Sequence, residues 1–195
     1  MAEIWNMIRH RYLGVSATVA MLVLLPVLVI ATQRPQSLSG IAEGATTIIF
    51  SPTSIEEAPL TADVGEDFFL NVLVDPGENI ISMVRLDINY DPTLLKLSTQ
   101  TPVEVNDTVF TEIVEGPTYT NGRIQMTLSV GSDLSKSISS RTRAATINFI
   151  PISGSSTNST VVSFGEDTSA STVEVNDLED GNVVSTTAPA HIKIN

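Results

Sequence analysis

Beyond residue 45 the apolar residues of this chain fall at alternate positions, in short runs closed by Gly, Pro, Asn or Asp; before it they form one block. Alternation with period two marks a half-buried strand, because successive side chains leave a strand on opposite faces. Runs of this kind, or short apolar ones, occupy 46–51, 67–74, 80–90, 94–98, 109–114, 123–130, 144–152, 160–164, 172–175 and 190–194. Most are bounded by turn-forming clusters such as DPGEN, GPTYTNG, SGSSTNS and EDGN. No window past residue 40 carries a helical stripe of useful length. The pattern predicts an all-β domain of two packed antiparallel sheets, a sandwich or jelly roll.

The alternation also assigns faces. In VRLDINYDPTLLKL (84–97), Val84, Leu86, Ile88 and Tyr90 point inward, and Met83, Arg85, Asp87 and Asn89 point outward. Pro92 then ends the strand, since it fixes its own φ and lacks a ladder donor. In 123–130, Ile124, Met126, Leu128 and Val130 point inward, leaving Arg123, Gln125, Thr127 and Ser129 outside. Two strands thus present mixed polar faces.

The N-terminal block has a different character. Leu13 to Ala31 is a run of 19 residues without a charge, preceded by Arg9, His10 and Arg11. As a helix it spans about 28 Å, close to a bilayer core of about 30 Å. The basic residues before it place the N-terminus in the cytoplasm and the rest of the chain outside. Two readings stay open: an uncleaved single-pass anchor, favoured by length, or a signal peptide cut after Ala31 and a secreted product. The expected organisation is a basic leader (1–12), the span (13–31), a polar tether (32–44) and one β-domain (45–195).

Charge and composition narrow the function. From residue 35 onward there are 21 acidic and 7 basic residues, a net −14. Such a surface repels phosphate backbones, which argues against nucleic-acid binding. The chain has no cysteine, so disulfides, thiolate nucleophiles and Cys-based metal sites are excluded. His10 lies in the leader and His191 alone on the last strand, so no Ser-His-Asp arrangement can be drawn and no enzymatic activity is expected. NDLEDGN (176–182) fails the calcium-loop spacing in both registers, and Asp180-Gly181 reads as a hairpin turn. No cofactor or metal is expected. Asn106-Asp-Thr and Asn158-Ser-Thr match the N-glycosylation pattern only.

The ordered set of VGEDFFLNVLVD (64–75), ISMVRLDINYDPTLLKL (81–97), Gly-Arg-Ile (122–124), AATINFIPI (144–152) and VEVNDLEDGNVVSTTAPAHIKI (173–194) resembles the cohesin family, the sandwich modules of cellulosome scaffolds. The resemblance covers residue 45 to the C-terminus. It implies a nine-stranded jelly-roll sandwich that binds dockerin, a small helical module folded around two calcium loops, in the setting of polysaccharide degradation. Calcium is then expected in the partner, not in this chain. One such module in the sequence implies a one-site receptor. The resemblance further implies a docking face on the strand ending in Tyr-Asp-Pro and the strand after Gly-Arg-Ile. The partner-binding residues are then Met83, Arg85, Asp87, Asn89, Gln125, Thr127 and Ser129. Met83 and Arg85 depart from the Asn or Asp that stand near these positions in better-known cohesins.

The alternative is a carbohydrate-binding module, or a structural cell-surface or adhesion domain of the same architecture. Sugar faces are usually met by exposed Trp or Tyr platforms. Here Trp5 is in the leader, and outside it only Tyr90, on the inward phase, and Tyr119 remain.

Overall fold

The computed structural model describes residues 46–153, 160–175, 177–178 and 181–195. The leader, the apolar span, the tether, Ala45, Asn158 and Asp180 lie outside the described residues. Among the described residues no helix is long and apolar enough to cross a membrane.

Thirteen strands follow in chain order: β1 (Thr46–Ser51), β2 (Leu60–Ala62), β3 (Phe68–Asp75), β4 (Ile81–Asn89), β5 (Leu95–Leu97), β6 (Val103–Val105), β7 (Glu112–Thr120), β8 (Arg123–Ser129), β9 (Thr142–Pro151), β10 (Thr160–Phe164), β11 (Ser169–Thr172), β12 (Val184–Ala188) and β13 (Ala190–Ile194). One sheet runs β12-β1-β3-β9-β5, with β6 also on β9; the other runs β2-β13-β10-β4-β8-β7, with β11 also on β4. Where nine strands are expected, the described residues form thirteen. The sheets are also not wholly antiparallel, since β12 joins β1 and β2 joins β13 in parallel.

The two inner faces form one core. Ile48, Phe50, Leu70, Val72, Val74, Ala145, Ile147 and Phe149 from the first sheet meet Val84, Leu86, Ile88, Ile124, Met126, Leu128, Val162 and Ile192 from the second, all buried. Two aromatic contacts bridge the sheets. Phe50 stacks on Phe164 at 4.3 Å, and Tyr90 meets the edge of Phe149 at 5.3 Å. Such pairs add directional contact to the area they bury.

Two of the predicted runs are displaced. Residues 106–110 are a turn, with the Val109 and Phe110 N–H groups donating to the Asn106 carbonyl, and the strand begins only at Glu112. It then runs through Gly116-Pro117, where the sequence suggests a turn; Gly116 at φ +77° takes up the irregular register as a bulge. The strand expected at 172–175 lies at Ser169–Thr172, set by pairing with β4.

The Asp91 turn that closes β4 has a local cause. Its carboxylate accepts from the Thr93 N–H at 2.8 Å and the Thr93 hydroxyl at 2.6 Å, and its carbonyl accepts from Leu94 and Leu95. The Thr93 bonds hold the Asp91 carboxyl below its usual pKa.

Candidate functional site: the outer face of β4 and β8

Pairing places the predicted site residues on one face. Arg85 of β4 lies between Ser169 of β11 and Thr127 of β8, with Glu115 of β7 beyond Thr127. In the next row Met83 lies between Ser171 and Ser129, with Glu112 beyond. On the other side of Arg85, Asp87 pairs with Gln125 and Asn89 with Arg123. All seven residues share this face, but they are not equally available. Met83, Arg85, Asn89 and Gln125 are half-buried, whereas Asp87, Thr127 and Ser129 are buried.

Asp87 therefore needs a correction: its strand phase is as expected, but it is not a free contact residue. The 165–168 loop folds over it. The Gly165 N–H donates to the Asp87 carbonyl at 2.7 Å, and the Thr168 hydroxyl bridges the Asp87 carbonyl and N–H at 3.0 and 3.2 Å. Its carboxylate, with Asp87 only 2% exposed, accepts from Arg123 Nε at 2.6 Å and Nη2 at 2.9 Å. Arg123 Nη2 also reaches Asp167 at 2.7 Å. The Asp87 bonds hold the guanidinium pKa above its usual value. Arg123 and Asp167 belong to this clamp but not to the predicted set. Arg123 was legible as an outward residue of β8, but nothing local announced its tie to Asp167.

With Arg123 engaged, Arg85 makes no ion pair among the described residues. It stands mid-sheet among hydroxyl residues, while Glu112 and Glu115 line the exposed β7 edge. Among the described residues the face can thus present Arg85 as an available cation on a small-residue shelf with an acidic border.

The other predicted features do not join this face. Tyr90 packs inward on Phe149. Tyr119 is 44% exposed on the β7 edge, and the exposed Phe69 lies on the opposite sheet, so these rings build no shared platform. The His191 N–H donates to Ser54 Oγ at 2.8 Å on β13. The Asn106 side-chain amide is occupied by the Arg143 carbonyl at 2.9 Å.

Comparison with solved structures meets the same architecture repeatedly. The seventh ScaB type I cohesin from Pseudobacteroides cellulosolvens superposes with a TM-score of 0.59 at 18% identity, over 77% of this chain and 92% of that one. The fold is the cohesin fold. The Coh-OlpC-Doc435 complex, a type I cohesin–dockerin complex from Clostridium thermocellum, gives 0.59 at 12% identity over 77% and 93% of the two chains. A non-cellulosomal cohesin from the archaeon Archaeoglobus fulgidus gives 0.53 at 19% identity over 77% and 91%. No protein-family model and no curated protein sequence matches the chain.

Proposed function

We propose that this chain is a non-enzymatic binding module that docks a dockerin-bearing protein on the outer face of β4 and β8. The observation that carries the reading is Arg85: a central, half-buried guanidinium without a carboxylate partner among the described residues, on a sheet face of the cohesin fold. An unpaired cation on a small-residue shelf favours a carboxylate or carbonyl of the partner directly opposite it. The contact set is Met83, Arg85, Asn89 and Gln125, with Thr127 and Ser129 as floor and Asp87 as the brace beneath. In this reading the apolar run 13–31 tethers the module to the cell membrane with the β-domain outside, supported by its length and the arginines before it. The partner would contribute any polysaccharide-degrading activity. The non-cellulosomal cohesin among the neighbours means that the fold alone does not carry that context.

The test uses the full-length chain in mild detergent as bait against envelope and secreted fractions, with and without a calcium chelator. A dockerin-bearing protein that is captured and then released by chelator supports the reading, because calcium holds the partner's loops. Arg85→Glu combined with Gln125→Ala should abolish capture while leaving the melting temperature nearly unchanged. Undiminished capture by the double variant removes the proposed face. Recovery of polysaccharide instead moves the function to glycan binding.

A further inference from the structure

Ser82 stands at a break in the β4 ladder. Met83 pairs with Ser171 and Ile81 with Thr172, so two steps along β4 match one along β11 and Ser82 is the extra residue. Alternation would send Ser82 into the core with Val84 and Leu86. A bulge re-aims a side chain, and Ser82 instead lines an open groove of about 480 Å³ beside Met83. It is 5% exposed, and its Oγ has no hydrogen-bond partner. A buried hydroxyl without a partner is costly, and at a groove wall a rotation of the serine side chain brings it within reach of a donor bound in the groove.

The remaining lining says which group. Met83, Val114, Leu134 and Val173 supply apolar walls, and Val114 and Leu134 are 52% and 54% exposed. Glu112 brings the groove's one carboxylate; it makes no ion pair among the described residues, and no basic residue lines the groove. Ser129 Oγ accepts from the Gly131 N–H at 3.0 Å and keeps a second lone pair. Apolar walls beside a carboxylate and two hydroxyl oxygens suit a long aliphatic stem ending in a cation with three donors. A purely apolar side chain would leave Ser82 unsatisfied and cover an unpaired carboxylate.

We propose that this groove is an anchoring subsite for a lysine side chain of the protein docked on the same face. This rests on the docking reading above and adds to it the chemistry of one anchor residue. Glu112 pairs with the ammonium, Ser129 accepts a second proton, Ser82 accepts a third once its hydroxyl rotates toward the groove, and the apolar walls hold the stem.

The test is an amide NMR titration of the ¹⁵N-labelled full-length chain in detergent with Nα-acetyl-lysine methylamide. The norleucine analogue, which keeps a straight aliphatic chain and lacks the charge, is the comparison. Saturable shifts are expected at the amides of Ser82, Ser129 and Gly131. Both the norleucine probe and the Glu112→Gln variant should bind about tenfold more weakly, the loss expected for a charge-assisted bond. Glu112 is exposed, so the core amides of the variant should stay in place. No saturable shift, equal binding of both probes, or full binding by Glu112→Gln overturns the subsite. No dockerin enters this titration, so its result is independent of the capture experiment. Conversely, if a captured dockerin binds Glu112→Gln and Ser82→Ala as it binds the parent chain, docking stands and the lysine subsite falls.

Discussion

Replacing Gly165 by alanine separates the steric role of the 165–168 loop from its backbone role. The φ of Gly165 lies outside the left-handed region, so alanine can take this backbone without strain; the added Cβ, however, clashes with Asp87 Oδ2 and lies 2.5 Å from Asp87 Cγ and 2.8 Å from Asn89 Nδ2. Asp87 cannot step aside without releasing both bonds from Arg123. The loop can lift only by giving up the Gly165 bond and the two Thr168 bonds to the Asp87 backbone. At about 0.5–1.5 kcal/mol for each neutral bond, lifting the loop costs about 2–4 kcal/mol. For a chain of this size that lowers the melting temperature by about 5–15 °C.

Urea unfolding followed by circular dichroism is the assay, with the slope m expected to stay constant. Gly65→Ala is the control, because Gly65 has open space around its Cβ position but φ +86°. It should cost only the left-handed penalty of about 1–2 kcal/mol. The decisive comparison is the Asp87→Ala background. With the carboxylate gone the methyl displaces only the Asn89 side-chain amide, 2.8 Å away at the end of a flexible side chain, so Gly165→Ala should add less than about 0.5 kcal/mol there. If the two substitutions are additive, or if Gly165→Ala alone is neutral, the loop does not pack on Asp87 as described.

Two further predictions concern the turn and the core. Asp75, Asp91 and Asp133 have lowered pKa values, through side-chain hydrogen bonds from Arg141, Thr93 and Ser135 respectively. A folded pKa below the unfolded value of about 3.9 gives stability that is present above that value and lost as pH falls through the folded one. The urea midpoint should therefore drop below about pH 4, and Thr93→Val should lose less relative to the parent chain in acid than at neutral pH; an equal deficit at both excludes the Asp91 contribution. Phe149 is fully buried and contacts the rings of Phe68 at 5.6 Å and Tyr90 at 5.3 Å. Phe149→Ala should cost about 3–5 kcal/mol in urea unfolding, and a cost under about 1 kcal/mol would mean that the Tyr90 end of β4 is not held across the sandwich.

What alternation revealed, and what it missed, has one physical origin. Val84, Leu86 and Ile88 face Ile124, Met126 and Leu128 across adjacent strands as the period-two pattern predicts, because each side's phase is a local property of its own strand. The pattern reports a face, not what lies over that face. Asp87 is covered by a loop beginning at Gly165, and only the missing side chain there lets the two segments meet. β11, with the sequence SAST, carries no run of large apolar residues and exists through its ladder to β4. That same pairing creates the bulge that turns Ser82 away from the core, against its place in the alternation. The candidate site's chemistry is therefore set by pairings over long sequence distance. Arg85 is left available because Arg123 is drawn to Asp87 and Asp167, and the Ser82 hydroxyl lies buried and unpartnered at the groove wall because β11 is one residue short against β4. If Gly165→Ala frees Asp87 from its cover, Arg85 gains a nearby carboxylate on its own strand, two residues away on the same face. Partner capture should then weaken together with stability, even though neither residue 165 nor residue 87 forms the exposed contact surface.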